Sequence, residues 1–198
     1  MASVTDRWPA RGLLAIGALL MAALCYQVIT GPTVFLEQLT LDSKGLRLYR
    51  DRPFTGTAVS YHDNGALRSA QQFREGRRHG YLREWFEEGQ LAFDASFARG
   101  ERHGLMKSWW RNGNPRSSSF YLHNQLDGES LHWYRTGEKF KRLYYRQGKP
   151  EGLQQGWRQN GKLFSNYEYR NGRLYGLNKA NLCVELNNED IAQFTQLN

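Results

Sequence analysis

The chain has 198 residues, 27 basic against 19 acidic, for a formal net charge of +8, which suits one folded domain with a leader and a tail. Its two cysteines, Cys25 and Cys183, exclude a paired disulfide framework and a cysteine zinc site. Without residues 1–36 the balance is still 25 against 18, so the positive field belongs to the body of the chain, where the even scatter of Arg and Lys reads as a solvated basic surface open to anionic partners.

Residues 1–12 form a short basic segment carrying Arg7 and Arg11. From Gly12 to Leu36 no residue is charged, and residues 13–36 are expected to form a hydrophobic membrane anchor, or a signal segment. An apolar run of about 20 residues matches the hydrocarbon core, and the basic flank keeps the N-terminus in the cytoplasm. The absence of a small-residue cleavage pattern favours an uncleaved transmembrane helix, with the rest of the protein extracytoplasmic, in a periplasm or at a cell surface.

Residues 41–180 repeat with a period of 24. Gly65, Gly89, Gly113, Gly137 and Gly161 keep the interval, as do Gly56, Gly80, Gly104, Gly128, Gly152 and Gly176. A third series, Gly76, Gly100, Gly148 and Gly172, is broken by Asn124. Tyr61, Trp85, Trp109, Trp133 and Trp157 form one aromatic column, and Tyr49, Phe73, Phe97, Tyr121, Tyr145 and Tyr169 another. Such a period means stacked supersecondary units. Short aromatic-rich runs between glycines read as strands joined in hairpins. The predicted fold is all-β: an elongated, single-layer antiparallel β-hairpin repeat following an N-terminal transmembrane helix.

Pairing Trp85 with Leu91 requires a three-residue loop, Glu87-Glu88-Gly89, whose last position is left-handed and favours glycine. A two-residue turn is the competing choice. Strict alternation then places Tyr81, Arg83 and Trp85 on one apolar side with Leu91, Phe93, Ala95 and Phe97. The glycines read as hairpin turns throughout. Residues 181–198 read as a C-terminal cap, in which Asn188-Glu189-Asp190 opens a short helix over Cys183 and Val184.

The copies at 61–67, 85–91 and 157–163, together with the Gly-x-x-x-Gly segments at 76–80 and 100–104, resemble the MORN-repeat variant found in bacteria. In units three and four Pro115 and Lys139 replace the leucine, and Asn124 replaces a glycine. The resemblance implies a MORN-like hairpin sheet. It also implies either an antitoxin of the YwqK type, which neutralises a toxin by direct binding, or a scaffold associated with membranes and proteins.

Chemistry is sparse. His79 and His103 share a repeat position, but the series continues as Asp127, Glu151 and Tyr175, so no metal column forms. No nucleophile elbow or phosphate loop is present. The chain reads as a non-enzyme with no cofactor and no metal. The aromatic columns read chiefly as packing, and the candidate binding surface is Trp109, Trp110, Trp133 and Tyr134 with Arg111 and Arg135. A protein partner is expected. Anionic lipid or a cell-wall glycan, bound through Arg77, Arg78 and Arg102, is the alternative; nucleic acid is disfavoured outside the cytoplasm.

Overall fold

The computed structural model describes residues 31–177. The leader up to residue 30 and the C-terminal cap at 181–198 lie outside the described residues. Among those described, no helix is long and apolar enough to cross a membrane.

The architecture is one sheet of 13 strands, almost wholly a meander. Strands β5 (Gly56–Tyr61), β6 (Leu67–Arg74), β7 (Arg77–Trp85), β8 (Leu91–Ala98), β9 (Glu101–Trp109), β10 (Pro115–Leu122), β11 (Gln125–Trp133) and β12 (Lys139–Arg146) pair in chain order. The sheet continues through β14 (Gly152–Trp157), β15 (Leu163–Arg170) and β16 (Arg173–Leu177), with β13 (Lys149–Pro150) also on β12. At its start, β1 (Thr33–Phe35) pairs in parallel with β5. The β-structure therefore takes in residues 33–35, within the stretch that hydropathy joins to the anchor. A small second sheet, β2 (Thr40–Leu41), β3 (Arg47–Tyr49) and β4 (Arg52–Pro53), packs beside it.

Turns alternate between two kinds, one on each long edge. On the first edge the Phe86 N–H donates to Gln90 O (2.8 Å) and the Gly89 N–H to Phe86 O (2.9 Å), enclosing the predicted three-residue loop with Gly89 at φ 85°. The same pair of bonds closes His62–Ala66, Trp110–Asn114, Tyr134–Glu138 and Arg158–Lys162. Pro115 and Lys139 pair with Trp109 and Trp133 as Leu91 does with Trp85, so the departures in units three and four leave the geometry intact. On the opposite edge two residues suffice, both left-handed: Glu75-Gly76, Arg99-Gly100, His123-Asn124, Gln147-Gly148 and Asn171-Gly172. These are the primed hairpin turns that match strand twist. Asn124 holds φ 65° because asparagine tolerates the left-handed region best among residues with a side chain.

Two expectations are corrected. The Gly80 series does not form turns: Gly80, Gly104 and Gly128 lie inside β7, β9 and β11 at φ 84°, 102° and 100°, where the register slips. These are glycine bulges. The assignment of faces also changes. Trp85 does pair with Leu91, but the next pair is Glu84 with Phe93, leaving Ala92 as the extra residue of a bulge. One added residue exchanges the faces. Leu82 and Glu84 therefore oppose Ala95 and Phe93, while Arg83 opposes Asp94 and pairs with it at 3.4 Å on the other side.

The inner face, so defined, carries Ala58, Gln71, Ala95, Ser119, Ser130 and Gln154, all buried, with the aromatic column from Phe73 to Tyr169 beside them. Small side chains at the middle of this face let larger neighbours close over them. Ser119 and Ser130 share a hydrogen bond of 2.6 Å between their hydroxyls, so their burial leaves no polar atom wanting. At the N-terminal end Val34, Leu39 and Phe54 pack on Phe73 and Ala58, flanked by Leu36 and Tyr49. Each fully buried Phe there is worth about 1.5–3 kcal/mol relative to exposure. This is the closest approach to a conventional core.

Candidate binding surface

The first edge is tied lengthwise by side chains that reach the next unit. The residue after each column aromatic points forward. The imidazole Nε2 of His62 lies 2.9 Å from Trp85 O, the Trp110 indole N–H donates to Trp133 O (3.3 Å), and the Tyr134 hydroxyl donates to Trp157 O (2.9 Å). Phe86 holds the same position without a donor; there Arg111 from the next unit stacks on its ring at 5.2 Å and pairs with Glu88 at 2.6 Å.

All six candidate residues therefore come together on this edge, but with different duties. Trp110 and Tyr134 are half-buried and bound to the following turn. Arg116 covers the Trp110 ring at 4.8 Å, and Phe140 packs on Tyr134 at 4.8 Å. Trp109 and Trp133, also half-buried, line a shallow hollow of about 260 Å³ with Lys107, Pro115 and Ser118. Arg135 is exposed, and its carbonyl accepts from the amides of Asn112 (2.7 Å) and Asn114 (3.0 Å). The forward hydrogen bond leaves no signal in a single unit; only the recurrence of donors at 62, 110 and 134 hints at it.

The opposite edge gathers charge that is scattered in the sequence. Arg74, Arg77, Arg78, Arg99 and Arg102 flank its first two turns against Glu75 and Glu101, whereas Arg111 and Arg135 on the first edge meet Glu87, Glu88 and Glu138. Here too units are tied: the Gly76 N–H donates to Phe54 O (2.8 Å), Gly100 to Arg78 O (2.7 Å), Asn124 to Arg102 O (3.0 Å) and Gly148 to Leu126 O (2.8 Å). Arg78 lies over Phe97 at 5.4 Å and Arg102 over Tyr121 at 4.7 Å, so both guanidinium groups are held against rings and pre-oriented. Burial, then Arg74 and Arg99, keep His79 below its usual pKa. His103 approaches His123 rather than His79, with rings 5.8 Å apart, and His123 Nδ1 lies 2.8 Å from a Glu101 carboxylate oxygen. Among the described residues no group of three or more His, Cys, Asp or Glu is arranged to hold a metal ion.

On the outer face Leu105 and Phe120 oppose each other across β9 and β10, and they are 45% and 42% exposed. Leu122, two residues beyond Phe120 on the same side, is 37% exposed. Further along, Glu129 is fixed by Arg142 (2.6 Å) and by the Tyr144 hydroxyl (2.9 Å). Burial raises the Glu129 pKa, but those two hydrogen bonds together with the charges of Arg142 and Lys139 outweigh it and hold the carboxyl below its usual range.

The ladder narrows between β12 and β14, which pair through Lys141 with Gly156 and Arg142 with Gln155; on the other side of Glu151, whose N–H donates to Tyr144 O at 3.0 Å, β13 adds Tyr145 with Pro150 and Arg146 with Lys149. Pro150 lacks an N–H and ends β13 there, where the earlier units run straight through. The buried Gln154 side chain fills the gap, donating to Tyr144 O at 2.8 Å. A cleft of about 790 Å³ lined by Tyr144, Tyr145, Glu151, Leu153, Glu168 and Arg170 lies at this break.

No curated protein matches the chain. Among solved structures it is similar, at a TM-score of 0.32 and 11% identity, to a mutant of S. aureus TarM in complex with Fondaparinux, alpha-GlcNAc-glycerol and UDP. That likeness covers 62% of this chain and only 21% of the other, and it carries no argument about function. Residues 102–123 match the family model described as MORN repeat variant, a match that spans β9, its turn and β10 and supports the MORN-repeat family as the source of this hairpin.

Proposed function

We propose that the protein is a non-catalytic repeat scaffold, held at a membrane by the part of the 13–36 apolar stretch that precedes β1, that binds a protein partner on the extracytoplasmic side. The observation that carries this reading is the exposed apolar group Leu105, Phe120 and Leu122, on a face that also carries the charged pairs Arg83–Asp94 and Arg142–Glu129. Apolar anchors within a polar surround suit a protein partner better than a small ligand. Rigidity helps, since turns bonded to turns leave little ordering to be done on binding. Binding in the manner of a YwqK-type antitoxin is the finer form of the same reading, drawn from the family resemblance alone.

A second reading rests on the basic edge. Arg77, Arg78 and Arg102 stand along it, two of them stacked on rings, and would meet an anionic lipid surface or an acidic glycan.

The test is capture from detergent-solubilised cell envelopes with the full chain, and with Phe120→Asp and Arg77→Glu variants. A partner retained at high salt and lost in Phe120→Asp supports the protein scaffold. Binding to vesicles rich in anionic lipid, abolished by salt and by Arg77→Glu but indifferent to Phe120→Asp, would replace it with the second reading.

A further inference from the structure

We propose that residues 178–198 of this chain dock across the C-terminal half of the inner face, over Tyr121, Tyr145, Tyr167 and Tyr169. This inference stands apart from the partner reading on the outer face and meets the basic edge only at Arg102, which lies over Tyr121. The inner face is treated unequally along its length. At the N-terminal end it is sealed by Leu39 and Phe54, and Phe73 and Phe97 are buried. The same column continues as Tyr121, Tyr145 and Tyr169, only half-buried, and no described residue from outside the sheet closes over it.

These tyrosines form a connected apolar surface. Tyr167 and Tyr169 meet edge to face at 5.7 Å. Burial first, and then Tyr121, raise the pKa of Tyr145; burial, Tyr169 and Tyr145 do the same for Tyr167. Lys141 lies on the same face, opposite Gly156.

The tail has the reach and the composition to cover this surface. The chain leaves β16 at Leu177, at the edge of the tyrosine surface. From β16 to β10 is five strand spacings, about 24 Å, and the 21 residues that follow can extend to about 70 Å. Leu182, Val184 and Leu186 alternate with Cys183 and Glu185, and Ile191, Phe194 and Leu197 recur at intervals of three. An extended passage through 182–186 therefore turns three apolar side chains to one side. Charge agrees. The tail holds Lys179 against Glu185, Glu189 and Asp190, a net of −2. Setting aside Arg7, Arg11, Lys179 and those three acids with Asp6 leaves 24 basic against 15 acidic residues, or +9, for residues 31–177.

The experiment is tyrosine acetylation by N-acetylimidazole on the full chain, mapped by mass spectrometry, with a variant carrying Leu182→Asp, Val184→Asp and Leu186→Asp. Tyr145, Tyr167 and Tyr169 should react roughly tenfold faster in the variant, equivalent to a docking free energy of about 1.4 kcal/mol, while exposed Tyr61 stays unchanged. Equal rates at the three tyrosines in a variant with unaltered far-UV circular dichroism overturn the proposal. Where the variant fails to fold, zero-length carbodiimide cross-linking of the unaltered chain decides. A link from Glu185, Glu189 or Asp190 to a lysine between 139 and 162, in the monomer band, supports docking within one chain. A link confined to the dimer band, or none to those lysines, overturns it.

Discussion

Gly80 and Gly89 have nearly the same backbone conformation, φ 84° and 85°, in very different surroundings. An added Cβ at Gly89 meets nothing within 4 Å, whereas at Gly80 it collides with the Gln72 amide oxygen and lies 3.1 Å from Gln72 Cδ. Gly89→Ala therefore isolates the cost of placing a side chain in the left-handed region, about 1–2 kcal/mol. Gly80→Ala bears that cost and must also turn Gln72 aside, breaking the bond its oxygen accepts from the Tyr81 N–H at 3.3 Å. Such a bond adds about 0.5–1.5 kcal/mol, for a total of about 1.5–3.5 kcal/mol. The assay is urea unfolding of the full chain in detergent, followed by tryptophan fluorescence, with the shift in midpoint read at constant slope. Adding Gln72→Ala to Gly80→Ala should cost nothing further, because the bond is already lost and the collision is relieved. Equal losses for Gly80→Ala and Gly89→Ala, or a double variant clearly less stable than Gly80→Ala alone, would refute the distinction between a bulge glycine and a turn glycine.

Asn124 offers a complementary case, since its Oδ1 accepts from the Arg102 N–H at 2.9 Å. Asn124→Gly should lose at most about 1 kcal/mol, the net worth of that bond, and Asn124→Ala about 2 kcal/mol because it loses the bond and strains the turn; the same denaturation curves check both. Stability should also fall on acidification in two steps. Burial, then Lys141 and Arg116, keep the folded-state pKa of His132 below its usual 6.5, so the unfolded chain takes up the proton first. The His132 contribution is complete above 6.5 and is lost as pH falls from there through the folded value. The Glu129 carboxyl, depressed in the folded state, has the same sign, and its contribution is lost below the usual carboxylate range. In thermal unfolding across this range, His132→Gln should flatten the upper step and leave the lower one, whereas a step unchanged in His132→Gln would assign it elsewhere.

The turns were legible in the sequence because a left-handed backbone leaves a residue signature, and the 24-residue glycine interval repeats its register along the chain. The faces were not, because a bulge residue such as Ala92 looks like any other strand residue, yet shifts parity by one. The Gly80 series shares the interval of the turn glycines, so spacing alone does not separate a bulge within a strand from a reversal between strands. In the small sheet the strand at Tyr49 was legible from its aromatic column, but β2 was not: the turn that joins β2 to β3, closed by the Asp42 N–H to Leu46 O at 3.0 Å with Gly45 at φ 76°, is out of phase with every series. For the candidate surface, the positions of Trp109, Trp110, Trp133 and Tyr134 on one edge were readable from their columns. Their hydrogen-bonding duty was not, because it joins residues 23 apart through a backbone carbonyl that carries no sequence label.

The interruption at Pro150 acts as a mechanical fuse. Elsewhere from β5 to β16 neighbouring strands share five or six residue pairs, but between β12 and the run of β13 and β14 there are four, two on either side of Glu151, whose N–H donates to Tyr144 O at 3.0 Å beside the Gln154 amide. Pulled across its strands, the ribbon yields there first, and the last three strands swing as a flap while the hairpin strands from β5 to β12 keep their shape.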